Sequence, residues 1–132
     1  MKNLKKVQTR IVSLEVTGNA HLNVNVVDEK LGIRASYLLK HTLHSLRRSK
    51  QRGISNLIIA LVVECGKCFY KQGLQFYVMG EKNLPNWVSD SSQKNAKNTV
   101  VVLSEGDEII TCYRGTNVIK HLNTKQKYLS AA

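Results

Sequence analysis

The stretch NLIIALVVEC, residues 56–65, constrains the fold of this chain more than any other. Ser55 before it is an N-cap residue and Gly66 after it is a helix stop, so the spacing predicts a helix between them. That helix is apolar on every side. It cannot lie on a surface, so it belongs at the centre of a core with the other elements laid around it. A chain of 132 residues with 42 % hydrophobic content can build such a core without disulfides or metal. One domain is expected over 1–132, with 1–34 as an appended hairpin and 35–128 as the core.

The partners of that helix show in the period of the flanking residues. VQTRIVSLEV and HLNVNVV alternate apolar and polar residues about the turn TGNA. Val12, Leu14 and Val16 are expected on one face of the first strand, and Leu22, Val24 and Val26 on one face of the second. From about Ser36 the period changes: Leu39, Leu43 and Leu46 fall at i, i+4 and i+7, the stripe of a helix that Gly53 stops. KCFYK and LQFYVM flank Gln72-Gly73, a hairpin signal. TVVVLSE and EIITCYR flank Gly106-Asp107, the clearest hairpin in the chain. Residues 83–98 are polar with one proline and read as a long loop or flap. Thr116 can cap a last helix carrying Ile119 and Leu122 and ending near Lys125 and Lys127. Hairpin, helices, meander and short helix follow one another without alternation, so the expected class is α+β: helices on one face of a curved antiparallel sheet, with an N-terminal β-hairpin.

Charge points to the partner. Lys and Arg number 20 against 9 acids, a formal net charge of +11. The excess is uneven: residues 1–60 carry 11 bases and 3 acids, residues 61–132 carry 9 and 6. Such a body attracts polyanions: a nucleic acid, an anionic membrane surface or an acidic protein. Three cysteines, Cys65, Cys68 and Cys112, form no regular framework, which suits a reducing compartment. No signal peptide is visible and no apolar run approaches a membrane span. The expected location is cytoplasmic, or outside after export by a dedicated secretion system.

The segment HTLHSLRRSKQRGIS, residues 41–55, carries the candidate chemistry. On a helix His44, Arg48 and Arg52 lie at i, i+4 and i+8 in one stripe, with His41 a turn earlier and the leucines opposite. Like charges at this spacing repel by a few tenths of a kcal/mol per pair, and an anion would relieve that. The stripe is either a solvated basic face or an anion site. Arginine's planar fork suits phosphate oxygens, and histidine titrates near neutrality. In EIITCYRG a strand would set Thr111 and Tyr113 on one face and Cys112 and Arg114 on the other. Those hydroxyls suit a phosphate or sugar, and are also ordinary strand residues. The candidate nucleic-acid-binding residues around this group are His41, Arg47, Lys50, Lys71 and Arg114.

Other chemistries lack their parts. Cys65-x-x-Cys68 is half a zinc site whose only further thiol is Cys112, so no metal centre and no cofactor are expected. Asp28-x-Lys30 lacks the upstream aspartate of a metal-dependent nuclease. No phosphate-binding glycine loop and no Gly-x-Ser-x-Gly elbow occur. His21 and His121 are isolated surface-type histidines.

The order HSLRRSKQRGIS, apolar helix, YKQGLQFYVM, VVVLSEGDEIITCYR resembles a small domain family of unknown function. Its members share a His-x-x-x-Arg-x-x-x-Arg-Gly-Ile helix and a late hydrophobic-Ile-Thr-x-Tyr strand. That family looks like a branch of the toxin-type ribonucleases that include barnase, EndoU, the tRNA-cutting colicins and RelE. The resemblance covers roughly residues 41–114. It implies a metal-independent endoribonuclease core, with RNA across the sheet and His44, Arg48, Arg52, Thr111 and Tyr113 as its catalytic residues. The hairpin 1–34 and the polar stretch 83–98 are not part of the family pattern. The implied partners are RNA and an acidic antitoxin or immunity protein, with no membrane and no small-molecule cofactor. The competing readings are a non-catalytic nucleic-acid-binding module and an interaction domain that docks an acidic protein.

Overall fold

The computed structural model describes residues 9–18 and 20–116. In chain order they form strands β1 (Thr9–Thr17), β2 (His21–Asp28) and β3 (Ile33–His41), and helices α1 (Leu43–Gln51) and α2 (Asn56–Cys65). Strands β4 (Lys67–Lys71) and β5 (Leu74–Val78), helix α3 (Asp90–Ala96), and strands β6 (Thr99–Leu103) and β7 (Glu108–Arg114) follow. The class is α+β, as expected. The last helix expected after Thr116, with His121 and the basic end at Lys125 and Lys127, lies outside the described residues.

The strands join in one sheet in the order β1-β2-β3-β7-β6-β5-β4. Neighbours are antiparallel except β3 and β7, which run parallel and pair only at Lys40↔Glu108 and His41↔Ile109. The β4–β5 turn has Gln72 and Gly73 both at positive φ, 52° and 79°, which matches the right-handed twist of the strands it joins.

Helix α2 sits where its composition demands. Ile59, Ala60 and Val62 are fully buried, and Ile58, Leu61 and Cys65 nearly so. They pack with Leu22, Val24 and Leu39 of the N-terminal strands and with Val101, Leu103 and Ile109 of the C-terminal ones. Each large aliphatic buried there stabilises by about 1.5–3 kcal/mol. Gly66 ends the helix because nothing larger fits: a Cβ there would stand 2.5 Å from the Val62 carbonyl oxygen and 2.9 Å from that of Val78. The opposite face of the sheet carries a second cluster, with Phe69, Val78, Val100 and Val102 buried and Tyr113 packed against it.

Three expectations are corrected. The helix does not begin near Ser36. Residues 33–40 pair with β2 from Asp28↔Ile33 to His21↔Lys40, so Leu39 follows strand parity and joins the core. Leu43 is 80 % exposed, and α1 turns Ser45 and Ser49 inward instead. The small serines let the helix lie close to the sheet. Val12, at a β-bulge between Ile11 and Ser13, points outward at 48 % exposure, and Ile11 packs with Leu14 on the core. Residues 83–98 are not a flap. Ser89 caps α3 by accepting from Ser92 N at 3.3 Å, Ala96 is buried, and Leu84, Trp87 and Val88 pack on the main core.

Candidate functional site

The site forms where β3 stops pairing. At Thr42 the chain turns out of β3 into α1, and α1 then packs along β7. Thr42 makes that turn by capping: its Oγ1 accepts from Ser45 N at 3.0 Å while its own N–H donates to Ser45 Oγ at 3.0 Å. Its hydroxyl also donates to the Ile109 carbonyl at 3.0 Å, which pins the start of α1 to β7. At the other end Arg52 Nη1 donates to the Cys112 carbonyl at 2.7 Å. Gly53, at φ 65°, then breaks the helix.

Between α1 and β7 lies a cleft of about 680 Å³ lined by His44, Arg48, Arg52, Thr111, Tyr113 and Arg114. The five residues expected to act together are thus brought together. The helical spacing i, i+4, i+8 sets the first three along one flank of the buried Ser45–Ser49 line. Strand parity sets Thr111 and Tyr113 on one side, opposite Val102 and Val100. The lining holds an imidazole, three guanidinium groups and two hydroxyls, and no carboxylate. Arg48 and Arg52 stand near the C-terminal end of α1, where the helix dipole offsets part of their mutual repulsion.

No protein-family model, curated protein or solved structure matches the chain. What the cleft can do follows from its own groups. Among the described residues, no hydrogen bond engages the His44 imidazole, Thr111 Oγ1 or Tyr113 Oη. Burial of the Tyr113 ring pushes its phenol above the ordinary tyrosine range, so the hydroxyl stays protonated at neutral pH and can donate. Arg48 makes one long contact, Nη1 to Gln51 Oε1 at 3.5 Å, and presents the rest of its fork to the cleft. Arg52 commits one N–H to Cys112, which fixes its plane and leaves its other donors free. The Cys112 thiol is pushed up by burial, against the opposing pull of Arg52 and Arg114, and stays a buried neutral group.

The outer candidates divide. Arg114 lines the cleft, but its fork is spent on carbonyls: Arg52 at 2.7 Å, and Gly53 and Asn95 each at 3.3 Å. It ties the end of α1 and the end of α3 to β7. Arg47 and Lys50 are exposed on the other side of α1, outside the cleft lining. Two residues are corrected. His41 is the last residue of β3, not a helix residue, and is 9 % exposed. Its Nδ1 lies 2.8 Å from Ser45 Oγ and its Nε2 3.0 Å from Asn56 Oδ1, so it knits β3, α1 and α2 beneath the cleft. Burial lowers its pKa and the nearby Lys50 charge adds to that, against the Asn56 hydrogen bond. Lys71, on β4, is 7 % exposed and does not line the cleft. Sequence reasoning missed the supports Ser45, Asn56 and Asn95. Only Thr42-x-x-Ser45, a capping pattern, could have marked one of them.

Among the described residues, no helix is long and apolar enough to cross a membrane, and no three His, Cys, Asp or Glu side chains group as a metal site.

Proposed function

We propose that the chain is a metal-independent, toxin-like endoribonuclease acting at the α1–β7 cleft. One observation supports this above all. An imidazole, unspent guanidinium donors and two hydroxyls converge on one cleft without a carboxylate. That set suits a phosphodiester whose charge rises during reaction.

The reaction is a transesterification. The RNA 2′-oxygen attacks the adjacent phosphorus as its proton passes to a base. The bond from phosphorus to the 5′-oxygen breaks, and an acid gives that oxygen a proton. The products are a 2′,3′-cyclic phosphate and a 5′-hydroxyl end. His44 serves as base or acid, for which a positioned group contributes about 10²–10⁴ in rate. Arg48 and Arg52 hold the dianionic phosphorane, and Thr111 and Tyr113 supply supporting hydroxyls. An acidic antitoxin or immunity protein would complement the cationic cleft.

The test is single-turnover cleavage alongside RNA binding. His44→Ala and Tyr113→Phe lower turnover far more than they weaken binding, because their role lies in the transition state. A His44→Ala variant that cuts at the wild-type rate removes His44 from the site. Binding without cutting by the wild-type protein favours the nucleic-acid-binding module.

A further inference from the structure

We propose that single-stranded RNA extends from the cleft across the outer face of β1, β2 and β3, with a second seat at Arg34. This rests on the ribonuclease reading of the cleft and adds a binding surface to it.

The register puts that surface on the cleft's side of the sheet. Leu22, Val24 and Leu39 pack with α2, so the alternate residues of those strands face away from it. One outward row is His21–Lys40–Glu108, which reaches β7. Farther along β7, Thr111 and Tyr113 lie opposite Val102 and Val100 of the second cluster, on the face turned from α2. The next outward rows run Glu15–Asn23–Leu38, then Ser13–Asn25–Ser36, then Arg10–Val27–Arg34. The hydroxyls of the cleft and these rows therefore share one side of one sheet.

A second concavity, of about 310 Å³, lies on the distal rows. Ser13, Asn25, Arg34 and Ser36 line it together with Val12, Val26 and Ala35. Asn25 Nδ2 donates to Ser13 Oγ at 2.9 Å, which orients the amide and leaves Oδ1 as an acceptor. Arg10 is paired with Glu29 at 3.2 Å, whereas Arg34 has no ion pair among the described residues. A free guanidinium beside an oriented amide and two serine hydroxyls suits one phosphate and one base edge. The lining has no aromatic ring, so this seat reads by hydrogen bonds rather than by stacking. Glu15 and Glu108 are the acids in these rows, and they space the two cationic seats apart. From Arg34 to Lys40 and from Glu108 to Thr111 is nine strand steps, roughly 30 Å. A dinucleotide reaches one seat. A longer single strand reaches both.

The experiment measures the affinity of the full chain for a labelled dinucleotide and for a single strand of about 12 nucleotides. Wild type, Arg34→Ala, Arg34→Glu and Arg48→Ala are compared, with thermal melts to establish folding. Wild type should hold the long strand well beyond the dinucleotide. Arg34→Ala should narrow that gap several-fold and reduce the salt slope for the long strand by about one. Arg34→Glu should narrow it further. Arg48→Ala, in the cleft, should weaken both lengths. Equal wild-type affinity for the two lengths, or a gap unchanged in both Arg34 variants, overturns the extended track and leaves the cleft reading standing. Wild-type protein that holds neither RNA overturns both.

Discussion

Arg52→Ala tests the arginine that ties α1 to β7, because the structure gives it a structural task that Arg48 lacks. Read from sequence, both are surface residues, and truncating either should change stability by no more than about 0.5 kcal/mol. The structure splits them. Arg52 donates to the Cys112 carbonyl at 2.7 Å, and Cys112 is fully buried. A hydrogen bond from a charged donor is worth about 1.5–3 kcal/mol, and the exposed guanidinium brings this down to about 1–2 kcal/mol. In a chain of this length, each kcal/mol moves the melting temperature by roughly 3–5 °C, so Arg52→Ala should melt about 3–10 °C below wild type. Arg48→Ala, with only the 3.5 Å contact to Gln51, should melt with the wild type. Arg52→Lys should fall between, since an ammonium keeps the charge and loses the fork. Differential scanning calorimetry at one pH and salt concentration decides it. If Arg52→Ala and Arg48→Ala melt alike, Arg52 does not hold α1 to β7 and the placement of the stripe beside Tyr113 loses its support.

Gly66→Ala should destabilise by about 1–3 kcal/mol in urea unfolding, because its Cβ meets the Val62 and Val78 carbonyl oxygens and neither backbone can yield. His41 gives a pH signature. Its folded pKa lies below the unfolded value, so its contribution is complete above about pH 6.5 and is lost as pH falls through the folded pKa. The melting temperature should therefore drop on acidification more in the wild type than in His41→Gln, and parallel curves would show that His41 is not held neutral. Limited proteolysis with trypsin should cut at Lys30, in the exposed turn after β2, before Lys94 in α3, and the reverse order would return residues 83–98 to a flap.

The hairpins were legible because each is a pair of β-rich runs about a turn residue that tolerates positive φ, as at Gln72-Gly73. Helix α2 was legible because an all-apolar run between Ser55 and Gly66 has one stable use. β3 was not, for a physical reason. Leu39, Leu43 and Leu46 imitate a helical stripe, and the strand exists through pairing with β2, which no local period records. α3 escaped for the opposite reason: it is short and polar and needs only the Ser89 cap and one buried alanine. At the cleft, His44, Arg48 and Arg52 followed from helical spacing, and Thr111 and Tyr113 from strand parity. The division of labour did not. That Arg114 spends its fork on carbonyls depends on contacts across about 60 residues, and that His41 is buried depends on its lying on β3 with the parity of Leu39 rather than on the helix.

The proposed reaction at the α1–β7 cleft uses only the chain's own side chains. Its most direct measurement is wild-type protein in excess over end-labelled single-stranded RNA, with EDTA present, followed by analysis of the fragment ends. Cleavage that leaves 2′,3′-cyclic phosphate and 5′-hydroxyl ends is the expected result. RNA that stays intact under these conditions, while the same protein binds it, contradicts it.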